Sequence, residues 1–215
     1  MGELVSVNVG GARQIGVSRR GRPVISAIGK SPVTGRVAAR GVNLAGDDQA
    51  DRSVHGGPDK GVYAYASEDT TWWSTLLGLE LGPGAFGENL TTAGVDVSGA
   101  VIGERWQIGS TELEVCQPRQ PCYKLAIAFE DPGMVRRFTQ AGRPGAYLRI
   151  TREGQLAADD AVEILERPDH GITIAIVARA IVADASLLSF AADAPALPPG
   201  LAAWMRERSA AASPT

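Results

Sequence analysis

Cysteine is scarce in this 215-residue chain: two residues, too few for a disulfide framework or for an iron–sulfur cluster, which commonly takes four thiolates. No apolar run approaches the 18 or more residues of a membrane span, and the opening MGELVSVNVGGARQ lacks the basic-then-apolar pattern of a signal segment. A cytoplasmic protein with no membrane contact is expected. There is no repeat of fixed period, no P-loop spacing and no dinucleotide fingerprint in a strand–turn–helix setting. Acidic residues are missing between Leu4 and Gly46, where seven basic ones stand: Arg13, Arg19, Arg20, Arg22, Lys30, Arg36 and Arg40. The rest of the chain is acidic, and the net charge of −3 argues against a nucleic-acid partner. The basic stretch reads either as solvated edge strands or as a positive rim for an anionic cofactor or an acidic protein.

What is present is turn-rich. With 26 glycines and 13 prolines beside 44% hydrophobic residues, the composition points to a mainly β body with helices. LVSVNV, VISAI, VNLAG, GVYAYA, AVIGERWQIG, TELEVC, GAYLRIT and AVEILE each read as a short strand, and eight such segments suit a closed or nearly closed barrel. A helix capped by Ser67 should end near Gly78, and another fits DPGMVRRFTQAG, with Pro132 in its first turn and Gly142 as its stop. After RPDHG come three short helices, the second capped by Ser186 and the third opening on Pro198 and Pro199; Ile172, Ile174 and Ile176 also alternate as a strand would. The expected organisation is a barrel domain over 1–166, a helical extension over 167–210 that docks on the barrel or on a second subunit, and a flexible tail over 211–215.

Chemistry concentrates in three stretches. In LEVCQPRQPCYKL a strand runs into Pro118 and Pro121, which force a turn. If Pro121 opens the helix continuing as YKLAIAF, Cys122 lies in its first turn between Arg119 and Lys124, a setting that favours the thiolate as nucleophile or soft metal ligand. Cys116 reads as strand-end packing. In AGDDQADRSVHGGPDKGVYAY, His55, Gly56, Gly57 and Lys60 make a Gly-rich grip suited to a phosphate or a heterocycle edge. In PGAFGENLTTAGV, Glu88 and Asn89 are either turn-stabilising groups or polar groups aimed into a pocket. His170 reads as a turn residue. A carboxylate–histidine metal site from Asp47, Asp51, Glu88 and His55, or a zinc site using the cysteines and histidines, lacks recognised ligand spacing.

The blocks GDDQADRSVHGGPDKGVYAY, GAFGENLTT, IGERWQIG, CQPRQPCYKL and GRPGAYLRI, in this order over about residues 25 to 165, resemble the MOSC family, named for the C-terminal domain of molybdenum-cofactor sulfurase, and most closely its YiiM-like branch. ERPDHGITIA and the residues after it look like that branch's three-helix extension. Two departures touch turns: Glu104 stands where the family often has Asp, and Ala158-Asp159-Asp160 lacks a glycine before its final Asp. The resemblance implies a MOSC-type β-barrel that binds the molybdenum cofactor (molybdopterin), with Cys122 as protein ligand to the metal. It implies Arg119, His55, Lys60 and Asn89, with Gly56 and Gly57, around the pterin and its phosphate. It also implies reduction of small N-hydroxylated compounds, hydroxylaminopurine-type bases among them; by residue type and neighbourhood, Glu88 or Asp51 would relay protons. Electrons would come from a separate flavoprotein or iron–sulfur protein, for which Arg19, Arg20 and Arg22 offer a docking surface; a homodimer is compatible with the helical tail. Two alternatives stay open: a sulfur carrier with a persulfide on Cys122, and a cysteine hydrolase pairing Cys122 with His55.

Overall fold

The computed structural model describes residues 2–18, 20–48 and 57–212. In chain order come β1 (Gly2–Val9), β2 (Arg13–Val17), β3 (Pro23–Ser26), β4 (Ser31–Pro32), β5 (Val37–Arg40), β6 (Asn43–Leu44), β7 (Val62–Ala66) and helix α1 (Ser67–Leu77). Next are β8 (Leu90–Ala93), β9 (Arg105–Ile108), β10 (Thr111–Pro118), α2 (Tyr123–Ala128), α3 (Met134–Ala141), β11 (Ala146–Arg152), β12 (Gly154–Leu156) and β13 (Ala161–Glu166). The helices α4 (Ile174–Val182), α5 (Leu188–Ala191) and α6 (Pro199–Ala212) complete the chain. Among the described residues no helix is long and apolar enough to cross a membrane.

Seven strands close into a ring in the order β1, β13, β9, β10, β11, β7, β8 and back to β1. Closure leaves the ring without the free edges that an open sheet presents. A ring with an odd number of strands cannot alternate direction all the way round, and the one parallel pair is β7 with β8. Parallel neighbours need a crossover connection, here carried by α1. Both strands of that seam therefore start at the same end of the barrel, which is where the cleft opens.

Two of the eight segments expected as staves lie outside the ring. VISAI pairs with Arg13–Val17 in a separate hairpin, and VNLAG joins β5 and β12 in a small three-stranded sheet. Alternation over so few residues marks a half-buried strand without naming its partner. The missing stave is β8, whose buried Thr91 and Thr92 hide the apolar signal; the Thr91 hydroxyl donates to Glu88 at 3.0 Å. Inside the ring Leu4, Leu90, Trp106, Ile108, Leu113 and Leu148 form an aliphatic-rich cluster, and Ile174, Val177, Leu188 and Met205 of the C-terminal helices belong to it too. The extension thus buries its apolar face on the barrel. A second, aromatic cluster of Tyr63, Tyr65, Trp73, Phe86 and Phe138 is separate from the first.

Helix ends also differ in detail from the sequence reading. Ser67 is the first residue of α1, with Ala66 at the cap, while Gly78 ends it in the left-handed conformation. α3 begins at Met134, after Pro132, and ends on Gly142. Ile172 accepts a strand-like bond from the Ile102 N–H at 2.9 Å, and the Thr173 side chain then caps α4, so both readings of that stretch hold over different residues. Asp184 rather than Ser186 caps the next turn, because its carboxylate takes the Ser186 N–H. The last helix runs to Ala212, past the expected limit at 210.

Candidate functional site

β10 carries the chain from the barrel interior to its rim. Cys116 is sealed on the inside, its thiol 3.0 Å from the Asp59 carbonyl and 3.1 Å from that of Tyr147, and burial pushes it up to about 12. Past Pro118 and Pro121 the chain turns outward, and Cys122 stands half-buried in extended backbone at the N-cap of α2. The helix starts at Tyr123, so the thiol lies just ahead of the first turn rather than within it.

Cys122 lines a cleft of about 110 Å³ whose walls include Lys30, Asp47, Lys60, Tyr63, Asn89, Arg119, Lys124 and Tyr147. The chain has three lysines, and all three stand in those walls. Arg119 is 8% exposed; its guanidinium donates to the Phe86 carbonyl and lies 5.0 Å from the centre of the Tyr63 ring. The Tyr63 hydroxyl donates to the Pro144 carbonyl at 2.8 Å. Burial pushes both Tyr63 and Tyr147 up, so the two phenols stay neutral beside Arg119.

The opposite wall comes from the N-terminal part of the chain. Lys30 forms an ion pair with Asp47, the two side chains being 7% and 3% exposed. Asp47 is also held by the Gly10 N–H at 2.9 Å and by the Asn89 amide at 2.9 Å. Burial lowers Lys30 from its ordinary value, more than the facing Asp47 raises it. The backbone beneath Lys30 is pressed against a glycine-rich turn: a Cβ at Gly84 would come within 2.7 Å of the Lys30 carbonyl, and one at Gly87 within 2.8 Å of Ile28. Both glycines have positive φ, so conformation and crowding require the same residue type.

Several candidates from the sequence take different places. Glu88 is fully buried and does not line the cleft; its carboxylate accepts from the Gly84 N–H at 2.6 Å, the Phe86 N–H at 3.0 Å and Thr91. Burial raises its carboxyl in spite of these bonds. These bonds tie it to the turn that backs Lys30. Asn89 does line the cleft, yet its amide donates to Asn8 and Asp47 and accepts from the Tyr63 N–H at 3.1 Å, so it organises the wall rather than offering an idle group to a ligand. Gly57, at φ 96, caps the short turn Pro58–Lys60 that brings Lys60 to the cleft. His170 holds its own turn, with Nδ1 accepting from the Ile172 N–H and Nε2 facing the Ile102 carbonyl at 3.0 Å. Arg19, Asp51, His55 and Gly56 lie outside the described residues. Sequence reasoning did not single out Tyr63 or Tyr147; it named Lys30 only within the basic stretch and Asp47 only in a metal site without recognised spacing, and the rarity of lysine is the signal for the first.

A family model described as MOSC domain matches residues 51–163. The chain belongs to the MOSC domain family. The YflK protein of Bacillus subtilis (strain 168) is 36% identical over 186 residues, 86% of this chain and 83% of that protein. A protein of Gibberella moniliformis (strain M3125 / FGSC 7600) named reductase is 31% identical over 201 residues, 92% of this chain and 35% of its own length, so the chain spans about a third of that relative. The crystal structure of YiiM from Geobacillus stearothermophilus is similar with a TM-score of 0.79 at 29% identity, over 97% of this chain and 100% of that one. This YiiM-like MOSC protein builds its cleft from both sides of the family boundary: Cys122, Arg119 and Lys60 fall inside the matched span, whereas Ser26, Lys30 and Asp47 precede it.

Proposed function

We propose that this MOSC protein is a molybdenum-cofactor-dependent reductase of small N-hydroxylated compounds, with Cys122 as the protein ligand to the metal. One observation carries the reading: a half-buried free thiol opens on a cleft lined by Arg119 and by every lysine in the chain. The donor set fits such a group. Among the described residues no three His, Cys, Asp or Glu side chains are close enough to hold a metal ion, so a metal at Cys122 would come with ligands of its own, and the cations suit an anionic carrier. The reductase name of the fungal relative supports an oxidoreductase role.

When bound, the cofactor supplies two-electron redox chemistry, by which R–NHOH, two electrons and two protons become R–NH2 and water. Cys122 would fix the metal, and Arg119, Lys60 and Lys124 would balance the cofactor's negative charge. The rings of Tyr63 and Phe138 lie against the Arg119 guanidinium and help to orient it. Electrons come from a separate flavoprotein or iron–sulfur protein, since two cysteines cannot hold a cluster. The exposed Arg20 and Arg22, at the β2–β3 turn, offer a surface for an acidic donor of this kind.

Metal analysis of protein made in cells that synthesise the cofactor tests the reading. The expected result is about one molybdenum per chain, lost in Cys122→Ser, with dye-driven reduction of an N-hydroxy substrate panel lost alongside. Cyanide-labile sulfur on Cys122 without molybdenum would overturn it in favour of the sulfur carrier.

A further inference from the structure

We infer that Lys30 is the acid that delivers a proton into the cleft and that Asp47 is its positioning residue; this rests on the reductase reading of Cys122. Of the three lysines that share the cleft, Lys30 is held by the Asp47 carboxylate, and its side chain is 7% exposed. A lysine whose charge is already balanced adds little to the pull on an anionic cofactor. It keeps, however, two further N–H bonds on Nζ, beyond the one given to Asp47, at the wall of the space where substrate would sit.

The surroundings of Asp47 make loss of that proton tolerable. Its carboxylate retains the Gly10 N–H on Oδ1 and the Asn89 amide on Oδ2, so it is not stranded when Lys30 becomes neutral. Three charged groups face Lys30 from different parts of the chain: Asp47 after β6, Glu88 before β8 and Arg119 after β10, the first two favouring its charged form and the last opposing it. Arg13 adds a second cation close by, its guanidinium lying over Gly29. Burial is the largest influence on Lys30 and lowers it from its ordinary value, which eases release of the proton. In the proposed step the N–O bond of R–NHOH breaks as two electrons arrive from the flavoprotein or iron–sulfur donor. Lys30 gives one proton to the departing oxygen and becomes an amine, solvent supplies the second, and Lys30 is reprotonated through the cleft mouth. The products are R–NH2 and water.

Because the chain has only three lysines, labelling them with ¹³C and ¹⁵N gives a spectrum simple enough to titrate each one in the cofactor-free protein. Lys30 is expected to titrate below an ordinary lysine, and lower still in Asp47→Asn; titration of Lys30 at an ordinary lysine value overturns the inference. In the loaded enzyme Lys30→Arg keeps the charge but cannot release a proton. We expect unchanged molybdenum content, a kcat lower by about 100-fold or more, little change in KM, and loss of the fall in turnover that the unaltered enzyme shows as pH rises through the Lys30 value. Full turnover with the same alkaline limb in Lys30→Arg overturns the role. Should Lys30→Arg misfold, Asp47→Asn with intact lysine signals decides it: an alkaline limb moved to lower pH supports the role, and an unmoved limb refutes it. If the unaltered protein binds no molybdenum, the reductase reading fails by a separate measurement, while the lysine titration still reports on Lys30.

Discussion

Within a few residues β10 passes from the inside of the barrel to the rim of the cleft, and the two cysteines fall on either side of that passage. Cys116 has no exposed surface and two carbonyls for company. Cys122, beyond two prolines, has an extended backbone, a helix start after it and cations around it. The same side chain thus serves as filling in one place and as a reactive group in the other. What separates them is the turn: without Pro118 and Pro121 the strand could continue its ladder and bury both.

That contrast can be broken experimentally. The largest expected effect is in thiol labelling. A maleimide should modify Cys122 in the folded protein at least about 1,000-fold faster than Cys116, which reacts only when the barrel opens. Mass spectrometry of the labelled peptides reads the ratio, and equal rates would erase the distinction. Next comes the support behind the rim. Glu88→Gln presents an amide where three donors converge, and should lower stability by about 1–3 kcal/mol, read from urea midpoints at neutral pH.

A smaller effect lies in the titration of Cys116. It binds its proton more tightly folded than unfolded, with a folded value of about 12 against an ordinary 9.0. Its contribution to stability is therefore complete below the unfolded value and is lost as pH rises through the folded one. Serine does not titrate there, so Cys116→Ser should lose less stability than the unaltered protein over that window, as urea midpoints at successive pH values would show. The smallest change lies away from the rim: Asp159 holds φ 70 at the position where the sequence lacks a glycine. Asp159→Gly should raise stability by about 1 kcal/mol, seen as a higher melting temperature, and leave the labelling of Cys122 untouched.

Much of the barrel is legible because a half-buried strand writes itself as alternation, as in LVSVNV, TELEVC and AVEILE. β8 was not legible, since two buried threonines look polar until the Thr91 hydroxyl is seen to hold Glu88. Half of the site was legible too: proline, arginine and cysteine packed into PRQPC carry their chemistry in their order. The Lys30–Asp47 pair has no such local spelling. Its partners are brought together by β1, by the turn at Gly84–Glu88 and by Asn89, none of them near in sequence. Glu88 is the reverse case, a carboxylate among glycines whose tie to the Gly84 and Phe86 N–H groups shows only in the fold.

The closure of the ring by β1 against β13 has a temporal consequence. Gly2 and Glu3 are made some 150 residues before their partners Val162 and Ala161, a delay of roughly 8–30 seconds at ordinary rates of synthesis. Asn8 and Gly10, at the far end of that strand and just beyond it, take partners at Pro32, Asp47 and Asn89 instead, all made well before β13. The wall that carries Lys30 therefore has its partners long before the ring can close.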